Sequence, residues 1–218
     1  MNPDASHIEF SVRYTSPSAD GPLDGRLLLL ITTDDKTEPR FQVQPGLKAI
    51  QLFGIDVNDL ESGQDAIFDD SVFGYPKPRL SDLPAGDYTV QVVFHLYETF
   101  TLATGHTVQL PMDRGEGQQW NKAPGNLYST PKQVTIDPAH PGRLNIELDQ
   151  VIPPIEPPAD TKYIRHIRLK SDLLTEFWGR PMYLGAHVLV PEGFDDHPEA
   201  QFPLVVFHGH FPSDFSCF

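Results

Sequence analysis

Proline is the residue that most narrows what this chain can become. There are 22 prolines in 218 residues, roughly twice ordinary usage. Each removes a backbone donor and clashes with the preceding helical turn, so long helices are disfavoured and short strands joined by rigid turns are favoured. Hydrophobic residues at 39% and charged residues at 21% are otherwise ordinary for a globular protein, and the length is enough to bury a real core. The expectation is a β-rich chain.

The apolar pattern places the strands. Ile8-Glu-Phe-Ser-Val-Arg-Tyr14 alternates at period two, the mark of a half-buried strand. Arg26 to Thr32 is a continuous apolar run, consistent with burial on both sides, and Ser16 to Gly25 before it has the composition of a turn. Ala49 to Phe53 and Ala66 to Phe68 are shorter candidates. The clearest signal is Leu83-Pro-Ala-Gly-Asp-Tyr-Thr-Val-Gln-Val-Val-Phe-His95, where Pro84 and Gly86 set a turn. Tyr88, Val90, Val92 and Phe94 then share one strand face, with Thr89, Gln91, Val93 and His95 on the other. Lys132 to Asp137 and Arg143 to Leu148 read as a strand pair across a Pro138–Gly142 turn. The L-P-x-G-x-Y turn and strand resembles that of immunoglobulin-like sandwich domains.

Two segments lack strand rhythm. Pro111 to Pro131 is a loop of about twenty residues that carries Trp120 and Tyr128, a length usually reserved for functional or disordered loops. Val151 to Asp160 holds four prolines and has the composition of an extended, semi-rigid linker. The expected organisation is therefore a sandwich over residues 1–150, a linker over 151–160 and a second unit over 161–218. In the second unit, Tyr163 to Leu169, Met182 to Val190 and Pro203 to Phe207 read as strands, the last wholly apolar as a central strand should be.

The second unit also carries a motif. Tyr183-Leu-Gly-Ala-His-Val-Leu-Val-Pro-Glu-Gly-Phe-Asp, followed by Phe202-Pro-Leu-Val-Val-Phe-His-Gly-His210, resembles the opening of the putative-esterase family of α/β-hydrolases, which includes enterochelin-esterase-like and feruloyl-esterase-like enzymes. Pro191, Gly193, Phe194, Asp195, Pro203, His208 and Gly209 carry the likeness in order and spacing. Members often have an immunoglobulin-like domain in front. The resemblance implies the first strands of an incomplete α/β-hydrolase sheet and carboxylic ester hydrolysis by Ser-His-Asp acyl transfer. In such folds the loop after the corresponding strand donates a backbone N–H to the oxyanion. By resemblance that donor is His210 or Phe211, with Gly209 permitting the turn and His208 supporting it.

The chemistry that should follow is not in these residues. A serine hydrolase needs a G-x-S-x-G elbow with an acid and a histidine after it, and no G-x-S-x-G occurs in the 218 residues. Ser213 and Ser216 fall in the oxyanion-loop region and cannot serve. The reading implies an inactive fragment or truncated product with no catalytic residue of its own. Its substrate in complete form would be a small-molecule ester or a carbohydrate-linked one, with no cofactor. The alternative is a non-enzymatic sandwich that binds carbohydrate or a protein partner. Trp120 and Tyr128 are substrate-contact candidates, able to stack on a sugar or a phenolic substrate, although loop aromatics more commonly anchor the loop to its own sandwich.

Other chemistries compete for the same residues. His208-Gly-His210, with His187, His197 and Asp214 near in sequence, could suggest zinc, but a catalytic site wants three protein ligands and the expectation is no metal. Asp34-Asp35, Asp69-Asp70 and Asp195-Asp196 lack any EF-hand spacing and read as solvated turns. The net charge of −14 repels phosphate backbones and anionic headgroups, which argues against nucleic acid and membrane surfaces. No apolar run reaches the ~20 residues of a membrane span. With one cysteine, Cys217, no internal disulfide can form. The start of the sequence has no basic and apolar leader pattern, so the expected location is the cytoplasm, or outside it if a leader precedes Met1. Oligomeric state is left open.

Overall fold

The computed structural model describes residues 7–15, 21–102, 104–156 and 158–208. Six strands come first: β1 (Glu9–Tyr14), β2 (Leu23–Thr32), β3 (Gln51–Leu60), β4 (Ala66–Phe68), β5 (Gly74–Tyr75) and β6 (Gly86–Leu96). A hairpin of β7 (Glu98–Thr101) and β8 (Thr107–Leu110) follows, then β9 (Leu127–Tyr128), β10 (Lys132–Ile136), β11 (Arg143–Leu148) and β12 (Gln150–Val151). The remaining elements are β13 (Ile164–Lys170), helix α1 (Asp172–Trp178) and β14 (Tyr183–Leu189). The fold is mainly β, as the proline content requires.

Two sheets enclose the core. The smaller has the order β11-β1-β4; the larger runs β12-β9-β6-β2-β3-β5, with β10 also paired to β6. Phe10, Val12, Tyr14, Phe68, Ile146 and Leu148 come from the small sheet and meet Leu27, Leu29, Ile31, Phe53, Val92 and Phe94 from the large one. These alternate residues point inward as a sandwich demands. Burying a side chain of this size contributes about 1.5–3 kcal/mol, so the cluster is the main source of stability. At the turn before β6, the Tyr88 hydroxyl donates to the Pro84 carbonyl at 2.8 Å, tying strand to turn.

One pairing differs from the sequence expectation. β10 and β11 are not a hairpin: β10 pairs antiparallel with β6, and β11 runs parallel to β1. Each strand has one apolar edge to bury, Val134 and Ile136 on β10, Ile146 and Leu148 on β11. An arch across the core buries both rows from opposite sides, where a hairpin would place them side by side in one sheet. Parallel pairing also sets Arg13 opposite Glu147 and Glu9 opposite Arg143, with ion pairs of 3.0 Å and 2.8 Å. The five-residue turn looks the same in sequence either way.

The large sheet is covered on its outer face as well. Thr89, Gln91 and Val93, on the face of β6 away from the core, are all buried, and so are Leu28 and Leu30 of β2. A 3₁₀ turn at Pro39–Phe41 packs on β2 and β6. Gln91, with no exposed surface, organises this layer. Its amide oxygen accepts the Arg40 N–H at 3.0 Å, and its amide nitrogen donates to Glu38 at 2.9 Å and to the Ser129 carbonyl at 3.0 Å. The Ser129 hydroxyl accepts the Val92 N–H at 3.0 Å. Burial would raise the Glu38 pKa, but hydrogen bonds from Gln91 and Arg40 and the Arg40 charge outweigh it and hold the carboxyl below its usual range.

Replacing Gln91 with Leu keeps the volume but leaves the Arg40 N–H and the Ser129 carbonyl unpaired under the loop. Such orphaned groups cost about 1–3 kcal/mol each. The Gln91→Leu chain is expected to lose about 2–4 kcal/mol of stability, read from urea midpoints. A midpoint equal to that of the parent chain would show that the layer does not depend on this amide.

Candidate functional site

Three of the motif residues, Gly209, His210 and Phe211, lie outside the described residues, as do Ser213, Asp214 and Ser216. The approach to them is defined. β13 and β14 pair antiparallel from Ile164↔Leu189 to Lys170↔Tyr183. Beyond β14, the Val190 N–H donates to the Tyr163 carbonyl at 2.8 Å, and the Pro191–Asp196 turn closes through Gly193, whose φ of 77° is left-handed and suits glycine. Asp195 pairs with Arg165 at 2.5 Å, and the Phe194 and Phe202 rings sit 5.6 Å apart.

The expected third strand is not formed. Residues 203–207 pair with no strand among the described residues, and Leu204 to Phe207 are 77–91% exposed. An apolar run becomes a central strand only when neighbours on both edges and layers on both faces take it up. β13 and β14 pair only with each other among the described residues, their outer edges do not take up the run, and α1 does not cover it. His208 is exposed at its end.

The histidines and acids of the competing readings are dispersed. His187 faces His166 across the ladder, ring centroids 4.7 Å apart, and His166 Nδ1 is 3.1 Å from Asp160. His197 lies 3.8 Å from Glu199. No three His, Cys, Asp or Glu residues form a metal-binding group among the described residues. The acidic pairs close turns instead. Asp69 accepts the Ser71 N–H and hydroxyl at 2.9 and 2.5 Å, which lowers its pKa. Asp70 takes the Ser81 N–H at 2.8 Å, and Asp34 takes that of Lys36 at 2.9 Å.

The long loop serves as a cover for the large sheet. Tyr128 forms β9 against β6 and β12, and the Arg40 guanidinium lies over its ring at 4.1 Å. Arg40 also donates to the Asn121 carbonyl at 3.1 Å, and the Asn121 amide returns a bond to the Arg40 carbonyl at 3.0 Å. Asn126, fully buried, accepts the Leu96 N–H at 3.0 Å and donates to the Trp120 carbonyl at 2.8 Å. Gly125 and Asn126 in turn bond Ile152 at 2.8 and 2.9 Å, so the proline-rich stretch begins docked on the loop. Trp120 stays half-buried, while one face of Tyr128 is occupied by Arg40.

A second assembly had no signal in the strand pattern. Glu98 of β7 receives two guanidinium groups, Arg114 from the loop at 2.6 Å and Arg180 from beyond α1 at 2.5 Å. Arg180 also donates to the Met112 sulfur at 3.2 Å and lies 4.2 Å over the Phe100 ring. Trp178 meets Phe100 edge to face at 5.2 Å. This joint fastens α1 and the chain after it to the β7–β8 hairpin. Its local cause was legible: Ser171 caps α1 by accepting the Leu174 N–H, and Gly179 ends it at a φ of 67°. That turn delivers Trp178 and Arg180 to the hairpin. Between them opens a cleft of about 470 Å³. The Arg180 Nε is buried there with no partner among the described residues.

His95 lies on β6 beside this assembly, its ring edge-on to Tyr97 at 5.5 Å. Burial first, then the Arg114 charge, pushes its pKa down from 6.5 to about 4.

Comparison with protein-family models, with curated proteins and with solved structures found no match to this chain.

Two outcomes are expected. Because His95 is harder to protonate folded than unfolded, its contribution to stability is complete above pH 6.5 and is lost as pH falls toward 4. Urea midpoints measured across that window should fall less steeply in His95→Phe than in the parent chain; equal slopes would remove His95 as the cause. Trp178→Ala should loosen the joint by about 0.5–1.5 kcal/mol from the lost ring pair alone. Amide exchange over residues 172–180 should then accelerate several-fold while β2 and β6 keep their protection; unchanged exchange would show that the ring pair does not hold the joint.

Proposed function

We propose that this chain is the accessory sandwich and entry segment of an esterase-type α/β-hydrolase, acting on carboxylic esters by acyl transfer. The observation that carries the reading is the order of parts after the sandwich. An antiparallel ladder, a left-handed glycine turn at Gly193 and an apolar run with 77–91% exposed side chains lead directly into His208-Gly209-His210. Exposed apolar surface of this kind is what further strands and helices of a sheet would bury. On this reading the family's oxyanion donor falls at His210 or Phe211, which lie outside the described residues; such an interaction is worth about 2.7–4 kcal/mol in the transition state. The 218 residues supply no serine elbow, so the attacking group must come from elsewhere.

The sandwich has a positioning role here. Glu98, Phe100 and Met112 grip Arg180 and Trp178, just ahead of the start of β14 at Tyr183.

Reading the gene onward from the codon for Phe218 is the direct test. A G-x-S-x-G followed by an aspartate and a histidine in the same frame is expected; a frame without them overturns the proposal. The 218-residue chain itself should hydrolyse p-nitrophenyl acetate and butyrate no faster than buffer, because oxyanion donors without a nucleophile have no covalent intermediate to stabilise. Turnover above buffer that a Gly209→Pro variant loses would mean a nucleophile lies within these residues.

A further inference from the structure

A cleft opens at the joint between hairpin and helix, and we infer that it binds a neutral saccharide. The inference stands apart from the hydrolase reading, since it concerns only residues of β7 and of the α1 turn. Its walls are aromatic on one side, Phe177 and Trp178, and hydroxylic on the other, Thr99 and Thr101, with Glu176 at the edge. A site that offers both ring faces and directional polar groups fits a ligand with apolar C–H faces and many hydroxyls.

The charges exclude other chemistries. Arg180 lines the cleft, but its guanidinium is committed to Glu98, to the Met112 sulfur and to the Phe100 ring. Only its Nε is left without a partner among the described residues, and that atom is buried; the remaining charged side chain there is Glu176, which repels carboxylate and phosphate ligands. Glu176, Thr99 and Thr101 make no side-chain hydrogen bond or ion pair within the described residues, in contrast to the Gln91 layer, where each polar group is paired. All three are exposed at the cleft and open to a ligand's hydroxyls.

The rings are held in place before any ligand arrives. Trp178 contacts Phe100 at 5.2 Å and Phe177 at 5.1 Å, both edge-on. Phe100 is buried and carries the Arg180 guanidinium over its ring. Phe177 remains 49% exposed. A preorganised aromatic wall lowers the ordering cost of binding, and a half-open cleft of about 470 Å³ takes one or two sugar rings.

The test is titration of the 218-residue chain with cellobiose, xylobiose and chitobiose, followed by tryptophan fluorescence and by amide NMR shifts. At least one disaccharide is expected to bind with a dissociation constant of about 1 mM, shifting the amides of residues 99–101 and 176–180. Glu176→Gln, at an exposed position outside the joint's ion pairs, should weaken it about tenfold with no change in the thermal midpoint; Trp120→Phe should leave it unaltered. Absence of saturable binding by all three up to about 50 mM, or equal affinity in parent and Glu176→Gln, would overturn the inference. Choline is the counter-probe, because aromatic rings beside an acid also suit a quaternary ammonium. Choline binding without disaccharide binding would assign the cleft to cations instead.

Discussion

Gln91 sits in the middle strand of the large sheet with its side chain turned away from the core and no surface exposed to solvent. A polar group there must be satisfied by whatever covers it, and the cover is assembled around that need. The Pro39–Phe41 turn supplies the Arg40 N–H, Glu38 a carboxylate, and the long loop the Ser129 carbonyl. Arg40 then stacks on Tyr128 and exchanges bonds with Asn121. One amide thus holds two sequence-distant segments on the outer face of β6, and the sheet becomes the middle layer of three.

That cover has consequences further along the chain. With the 111–131 loop fixed, Arg114 is brought to Glu98, and Glu98 receives Arg180 on its other oxygen. The loop therefore reaches the C-terminal segment through the Glu98 carboxylate and through the Met112 sulfur, which also accepts from Arg180. Pairs of this exposure contribute little individually. Here they are joined by the Phe100–Trp178 ring contact and the Arg180–Phe100 stack, so orientation comes from several weak contacts that agree. The Arg180 Nε, without a partner among the described residues, leaves the joint less fully satisfied than the sandwich core.

Beyond the joint, the character of the packing changes. The sandwich buries large side chains completely, whereas β13, β14 and α1 have no buried residue between Ile164 and Leu189. Two strands and one short helix cannot enclose apolar surface on both sides of a sheet. The run at 203–207 stays open for the same reason. Among the described residues β13 and β14 form a two-stranded sheet that no third strand joins.

Much of this was readable from the order of residues alone. Period-two alternation located β1, β6 and β13 within a residue or two, because burying one face of a strand is a local, repeating requirement, and short apolar segments between turn residues located β4, β10, β11 and β14. The continuous apolar run of β2 correctly signalled burial on both faces. Sequence could not say what lay over the second face, since that depended on a loop eighty residues away folding back. It could not distinguish an arch from a hairpin between β10 and β11, because partner choice depends on which sheet lacks a strand. The hairpin β7–β8 and the grip of Glu98 on Arg180 left no periodic trace, being long-range contacts between single side chains. Nor could an apolar composition make a strand of residues 203–207: the residues set the propensity, while pairing and coverage come only from the rest of the fold.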